Sequence, residues 1–198
     1  MPEKSPTQDI KLFSLALLIS NLFIYNSLGA IDDNSLAELM LLTNLSKQIV
    51  LSEGETSTEH ALSYYTPKLL WALRDFNLGG ANPTQYLESA LTDQSMKGHP
   101  NSKKVRQAIL NYFKDRDCVT FDRPVRDDRD LFKLNSVSDN QIRPEFLQQL
   151  NTLREKILAK ISPKQLKGVN LNITMYMAMI EKYIECFNAN KPLNIMQA

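Results

Sequence analysis

Short apolar runs alternate with segments of helical periodicity through the first two thirds of this 198-residue sequence. Three runs have the length and composition of buried strands: 22–25, 68–73 and 118–121. Three intervening or preceding segments carry apolar residues at helical spacing: 10–19, 82–91 and 101–114. Strands that alternate with helices form mostly parallel sheets. The sequence therefore predicts an α/β fold, with a largely parallel sheet covered by helices on both faces.

A further helix is predicted in the segment 32–50, DDNSLAELMLLTNLSKQIV. Ser35 and Glu38 stand at the spacing of a capping box, which marks a helix start. Apolar residues then recur at helical spacing as far as Ile49. The pattern therefore predicts one continuous helix that reaches the neighbourhood of Ile49.

The last third of the sequence is predicted to be helical. Residues 143–161 carry apolar groups at helical intervals, with Pro144 in the first turn and Pro163 after the end. A loop that contains Gly168 leads to a second helix over 172–192. Methionines at helical spacing in this second helix are typical of core filler, and we expect them to be buried.

The composition is that of an ordinary globular protein, with 43% hydrophobic and 23% charged residues. A net charge of +1 gives no strong field that would attract nucleic acid or a membrane surface. The apolar stretch 12–25 is too short to span a bilayer and lacks the basic flank of a signal peptide. Cys118 and Cys186 lie too far apart to suggest a disulfide framework or a metal motif. These features together predict a cytoplasmic protein.

Two charged residues, Arg74 and Asp75, follow the buried run 68–73 directly. On an extended backbone, neighbouring side chains project to opposite sides, so we expect these two not to neutralise each other. One interpretation is a solvated loop between a strand and a helix. The other is a ligand site, because open α/β sheets bind ligands beyond the carboxyl ends of their strands.

Carboxylate chemistry makes the second interpretation specific. An ionised aspartate only accepts hydrogen bonds, and its two oxygens can take parallel N–H donors from one planar partner. Guanine offers such an edge, N1–H beside the exocyclic amine, and adenine does not. A site of this kind can reject an analogue that lacks the donors by roughly 10⁴-fold. Asp75 is therefore a candidate for guanine selection.

Four segments resemble the large GTPase domain of guanylate-binding proteins, and more distantly that of atlastins, within the dynamin-like group. In chain order they are LFSLALLISNLFIYNSLGAID, LLWALRDFNL, CVTFDRPV and RPEFLQQL. The resemblance implies a three-layer fold of the P-loop GTPase type, here incomplete. It also implies two regions, a partial GTPase domain over 9–162 and a hinge with the first helix of a helical domain over 163–198.

The resemblance assigns roles to residues at two strand ends. In the family an Arg-Asp pair reads the guanine base, which gives this role to Asp75 with Arg74 beside it. The FDRPV segment resembles the strand end that opens the guanine cap of the family, where the base is covered and a second protomer is met. The residues implied on the base side are Arg123, Pro124 and Val125, and those implied in the dimer or cap contact are Arg123 and Arg126. Some family members continue with a basic cluster, whereas here Asp127 and Asp128 follow.

Phosphate binding requires a Gly-rich loop with its lysine and a Mg²⁺-holding hydroxyl. The sequence contains no GxxxxGK[ST] motif, so we expect no catalytic residues in this chain and Mg²⁺ only in a complete protein. GTP or GDP is the expected ligand. His60 and His99 lie in polar segments without other metal-binding residues, and no metal site is predicted.

Two hypotheses of different classes follow. The chain is the base-recognising part of a GTPase that binds and hydrolyses GTP and forms a homodimer. Alternatively, it is a catalytically inactive paralogue that acts as an interaction module and associates with full-length relatives through the cap around Arg123 or the terminal helices. Neither hypothesis involves nucleic acid, and membrane association would need regions outside this sequence. A third hypothesis, an unrelated helical adaptor, does not account for the four segments that resemble the family.

Overall fold

The computed structural model describes residues 6–44, 49–50, 63–92, 100–166, 168–189, 191 and 193–194. Its strands are β1 (Leu22–Leu28), β2 (Ile49–Val50), β3 (Lys68–Arg74), β4 (Arg116–Phe121), β5 (Gln165–Leu166), β6 (Val169–Asn170) and β7 (Leu193–Asn194). Its α-helices are α1 (Pro6–Ile19), α2 (Asp33–Glu38), α3 (Pro83–Thr92), α4 (Pro100–Tyr112), α5 (Asp128–Leu131), α6 (Pro144–Lys160) and α7 (Ile173–Asn188). Short 3₁₀ helices cover Leu39–Asn44, Leu134–Ser136 and Asp139–Gln141.

The main sheet has three parallel strands in the order β1-β3-β4. Their carboxyl ends lie together, because Leu28 pairs with Arg74 and Arg74 pairs with Phe121. Helices pack on both faces of this sheet, and α7 follows near the end of the chain. The predicted α/β class with a parallel sheet is therefore confirmed, and the architecture is that of a partial P-loop-GTPase-like fold. The short strands β5 and β6 pair antiparallel, and β2 pairs with β7.

Trp71 lies at the centre of one face of the sheet and is fully buried. Its indole N–H donates to the Ser27 hydroxyl oxygen at 2.8 Å, and its ring meets Tyr25 edge-on with the centroids 4.9 Å apart. Leu17 of α1 and Leu36 of α2 belong to the same buried cluster. The apolar spacing of these helices thus provides the larger of the two cores, against the inner side chains of β1 and β3.

The other face of the sheet is covered only in part. The α6 side chains Phe146, Leu153 and Ile157 pack against a small buried cluster formed by Leu70, Ala72, Val119 and Phe121. Strand β1 contributes residues to the same face, but Ile24 is 42% exposed there and Leu28 is 64% exposed. A groove therefore remains between α6 and the β1 side of the sheet.

A partly buried ion pair joins α6 to β4. Lys156 Nζ donates to Asp117 Oδ1 at 2.6 Å and to the Cys118 carbonyl oxygen at 2.9 Å. The hydroxyl of Thr84, in α3, donates to the same carboxylate oxygen at 2.5 Å. Lys160 Nζ lies 3.7 Å from Asp117 Oδ2, and the Asp117 side chain is only 17% exposed. One carboxylate thus connects α3, β4 and α6.

The helix predicted to extend to Ile49 is wrong in both its start and its length. Asp32 is the N-cap and forms the capping box with Ser35, because its side chain accepts the Ser35 N–H at 2.9 Å. Glu38, assigned to the box by spacing, instead accepts a hydrogen bond from the Tyr25 hydroxyl at 2.8 Å. The α-helix ends at Glu38 and continues as a 3₁₀ helix, while Ile49 lies in β2, where it pairs with Leu193.

The burial predicted for the methionines at helical spacing in α7 is correct for Met179 and wrong for Met175. Met179 is buried, together with Tyr183 and Phe187. Met175 is 46% exposed and Met177 is 48% exposed. Met175 belongs to the i, i+4 series of Met179, Tyr183 and Phe187 but lies in the first turn of α7, whereas Met177 lies outside that series.

Candidate functional site

The candidate site lies where β3 and β4 end side by side. The Phe76 N–H donates to the Phe121 carbonyl oxygen at 3.0 Å, so the segment after β3 stays hydrogen-bonded to the end of β4 two residues past Arg74. The Gly29 N–H donates to the Arg74 carbonyl oxygen at 2.7 Å and brings the end of β1 to the same place. Three loops therefore leave one edge of the sheet, where α/β proteins bind ligands.

Asp75 leaves the extended conformation at this edge, with φ of 54°. Aspartate is one of the few residues that enter this left-handed region at modest cost, because its short polar side chain finds local partners. The backbone turns at Asp75, and Arg74 and Asp75 both line one cavity. Among the described residues, they form no ion pair with each other.

The cavity has a volume of about 490 Å³ and lies between the sheet and α6. Its rim carries the charged side chains Arg74, Asp75 and Asp122. Its apolar wall comes from both sides: Ile24, Ala72, Phe121, Leu131, Leu134, Phe146, Leu150 and Leu153. An apolar wall with a few polar groups at one end suits a flat ligand whose edge carries hydrogen-bond donors.

Arg123 connects Asp75 to the segment that follows β4. Its Nε lies 3.2 Å from Asp75 Oδ2, and its Nη1 lies 2.5 Å from Asp128 Oδ1. The Asp75 side chain is 34% exposed and that of Arg123 is 50% exposed, so both groups remain accessible to a ligand. The resemblance implied that Arg123 and Asp75 belong to one site, and their side chains are in contact.

The other residues that the resemblance placed here are spread over two positions. Pro124 lines the cavity of Asp75, and its carbonyl oxygen accepts the Arg143 N–H at 2.8 Å. Val125 is buried and, like Arg126, lines a separate cavity of about 350 Å³ on the side of α5. The structure therefore brings Arg74, Asp75 and Pro124 around one cavity, with Arg123 in contact from its flank.

Sequence reasoning missed a set of side chains that connects the loop after β3 with the loop after β4. Asp122 accepts hydrogen bonds from Asn77 Nδ2 at 2.9 Å and from Gln149 Nε2 at 2.9 Å, and its own N–H donates to Gln149 Oε1 at 2.8 Å. The hydrogen bond from Asn77 is the main cause that holds the pKa of Asp122 below its ordinary value. The available signal was Gln149 itself, a polar residue on the apolar side of α6 between Phe146 and Leu153.

Asp75 places two carboxylate oxygens, which can only accept hydrogen bonds when ionised, at the rim of an apolar cavity. Among the described residues, no group of three or more His, Cys, Asp or Glu side chains is placed to hold a metal ion. His60 and His99 lie outside these residues. In the described part of the chain, no helix is both long and apolar enough to cross a bilayer.

Comparison with known proteins identifies the family. The family model described as the N-terminal domain of guanylate-binding protein matches residues 2–166. The chain belongs to the guanylate-binding protein family.

The chain is similar to several curated members of this family. It is 30% identical to guanylate-binding protein 7 of Homo sapiens over 204 residues, which cover 96% of this chain and 32% of that protein. It is 31% identical to guanylate-binding protein 4 of Homo sapiens, over 94% of this chain and 31% of that protein. It is also 31% identical to guanylate-binding protein 1 of Mus musculus, over 92% of this chain and 33% of that protein. The chain spans about a third of the length of these relatives.

Proposed function

We propose that this chain is the base-recognising part of a guanylate-binding-protein-type GTPase domain, with Asp75 as the residue that reads guanine. The observation that carries the proposal is the position of the Asp75 carboxylate, at the rim of an apolar cavity and at the carboxyl ends of parallel strands. Family membership supports guanine as the base.

In this proposal the carboxylate accepts N1–H and the exocyclic amine of guanine. Arg74 lies beside it on the cavity rim, and Pro124 shapes the wall. Adenine presents an acceptor at N1, which would face the acceptor-only carboxylate and form no hydrogen bond with it. A hydrogen bond to a charged group contributes about 1.5–3 kcal/mol, and its loss with adenine is the proposed source of the selectivity.

For the whole protein, the proposal includes GTP binding, GTP hydrolysis and a nucleotide-dependent homodimer in the cytoplasm. Residues 9–162 would form part of the GTPase domain, and 163–198 the hinge and first helix of a helical domain. The phosphates and Mg²⁺ would be held by residues that this chain does not supply. Arg123 and Arg126 would contribute to the cap and dimer contact. The free thiols of Cys118 and Cys186 are compatible with a reducing compartment.

The test is a titration of the ¹⁵N-labelled chain with guanosine and adenosine, followed by the backbone amide signals of the site. We expect guanosine to shift the signals of Asp75 and Phe76 and adenosine to leave them unchanged. The same titration of Asp75→Asn should lose the preference, whereas the control Asp115→Asn, an exposed aspartate outside the site, should keep it. Equal guanosine selectivity in Asp75→Asn would sink the assignment.

A second function, an interaction module for full-length relatives, is favoured by the surface of α7. Three apolar side chains on one side of this helix are exposed: Ile173 at 73%, Met177 at 48% and Ile184 at 41%. An apolar stripe on an amphipathic helix suits a second helix. Sedimentation of the chain mixed with a purified full-length guanylate-binding protein should show a complex that Ile184→Glu weakens. Independent sedimentation of the two proteins counts against this function.

A further inference from the structure

We propose that Arg123 occupies the base-reading carboxylate of Asp75 in the ligand-free chain, and that Asp128 is the positioning residue that retains Arg123 when guanine takes its place. The inference rests on the proposed base site. It adds Arg123 as a side chain that competes with guanine, and Asp128 as the residue that positions Arg123. It is motivated by the shared position of Arg123 between two carboxylates, with one contact short and the other long.

The competition follows from the chemistry of the two donors. The edge of guanine that binds a carboxylate consists of N1, C2 and the exocyclic amine, which is the same arrangement of atoms as in a guanidinium group. Both present parallel N–H donors in one plane to the two oxygens of an aspartate. Arg123 donates through Nε to Asp75 Oδ2 at 3.2 Å, and so occupies a position beside one of the two oxygens to which the base would donate.

Asp128 is the carboxylate in closer contact with Arg123. The contact from Nη1 to Asp128 Oδ1 is 2.5 Å, shorter than the contact from Nε to Asp75 by 0.7 Å, the difference of 3.2 and 2.5 Å. When guanine binds Asp75, Arg123 gives up the longer contact and keeps the shorter one. Its charge stays paired, so Asp128 lowers the free-energy cost of releasing Asp75.

Neighbouring carboxylates are engaged elsewhere. Asp127 pairs with Arg129 at 2.8 Å and caps α5 by accepting the Arg129 N–H. Asp122 accepts from Asn77 and Gln149. Among the described residues, Asp75 and Asp128 are the carboxylates within ion-pair distance of Arg123.

The same contacts link the base site to α5. Asp128 is the first residue of α5, and Leu131 at the end of this helix lines the cavity beside Asp75. Arg123 therefore bridges the base-reading residue and the helix that contributes to the cavity wall. Acidic residues after DRPV, where some family members have basic ones, give the chain an internal partner for Arg123.

The experiment measures the affinity of the full chain for guanosine, with adenosine as the reference, in four proteins. These are the wild type, Arg123→Gln, Asp128→Asn and the double variant. Because an exposed ion pair is worth up to about 1 kcal/mol, we expect Arg123→Gln to bind guanosine about two- to fivefold more tightly than the wild type. Asp128→Asn should bind guanosine about two- to fivefold more weakly, because Arg123 then turns fully to Asp75.

The double variant shows whether Asp128 acts by positioning Arg123 or only through its own negative charge. In the Arg123→Gln background, Asp128→Asn should change the guanosine affinity little, since Arg123 is no longer there to be held. Asp130→Asn removes the same charge from the same helix and should leave the affinity unchanged. In the ligand-free wild type, the Arg123 Nε–H signal should change on adding guanosine and should not change on adding adenosine.

Two results would overturn the inference, and they have different meanings. In the first, the wild type prefers guanosine but Arg123→Gln binds guanosine no more tightly than the wild type does. This result would leave the base site intact and would show that Arg123 does not compete with guanine. If all four proteins bind guanosine and adenosine alike, or bind neither, the base site fails and the competition fails with it, because Arg123→Gln leaves the carboxylate open.

Discussion

Replacing Trp71 by alanine is expected to lower the free energy of unfolding by about 3–5 kcal/mol. Trp71 is fully buried in the middle of β3, and its side chain fills the space between Tyr25 and the Ser27 hydroxyl. Its loss leaves a cavity in the larger core and an unpaired hydroxyl. Since small domains are stable by only about 5–15 kcal/mol, this change removes a large share of the total.

Urea denaturation followed by far-UV circular dichroism measures the effect, because the variant has no tryptophan to follow by fluorescence. The matched control is Phe132→Ala, which truncates an aromatic side chain that is 90% exposed and should change stability by less than about 0.5 kcal/mol. Equal losses in the two variants would show that Trp71 is not at the centre of a packed core.

Replacing Asp117 by asparagine is expected to destabilise the chain by about 2–3 kcal/mol at neutral pH. The substitution keeps the shape of the side chain but removes the charge that Lys156 approaches within 2.6 Å in a largely buried position. Asp115→Asn is the control, since Asp115 is 46% exposed and, among the described residues, forms its ion pair with Lys160. Its loss should cost less than about 1 kcal/mol. Comparable losses in both variants would contradict the role given to the Asp117 network.

The Asp117 prediction has a pH dependence with a definite sign. Burial alone would raise the pKa of Asp117, but hydrogen bonds from Lys156, Thr84 and the Cys118 N–H outweigh it and hold the pKa below its ordinary value. A depressed pKa in the folded state gives stability above the unfolded value of about 4, and this stability is lost as the pH falls through the folded value. The difference in Tm between wild type and Asp117→Asn should therefore shrink below about pH 4. A constant difference from pH 7 to pH 3 would be the contrary result.

The elements that the sequence predicts well are those with strong local patterns. The strand at 68–73 is apolar from Leu69 to Leu73 and lies between two neighbouring strands, and β3 extends it by only Arg74. Pro144 and Pro163 bracket α6, because proline suits a first turn and cannot continue a helix. The predicted strand at 22–25 is three residues too short, since polar Asn26 and Ser27 read as a loop while they pair with β3. Ser27 also has Trp71 as a hydrogen-bond partner, which no local pattern reveals.

The position of the candidate site could be predicted from the sequence, but the hydrogen bonds that connect its loops could not. Asp75 and Arg123 follow the ends of neighbouring parallel strands, and such ends necessarily meet at one edge of the sheet. The hydrogen bonds from Asn77 and Gln149 to Asp122 depend on how α6 packs on β4, and this tertiary contact lies 27 residues along the chain from Asp122 to Gln149. The left-handed turn at Asp75 was also missed, because a single aspartate is compatible with either conformation.

The most direct test of the proposed base recognition compares guanosine with xanthosine. Xanthine keeps the N1–H donor of guanine but has a carbonyl oxygen in place of the amine. An aspartate accepts two hydrogen bonds, whereas an asparagine accepts one and donates one. The ratio of the two dissociation constants should therefore favour guanosine for the wild-type chain and xanthosine for Asp75→Asn. The same order of preference in both proteins would contradict the assignment of Asp75 as the guanine-reading residue.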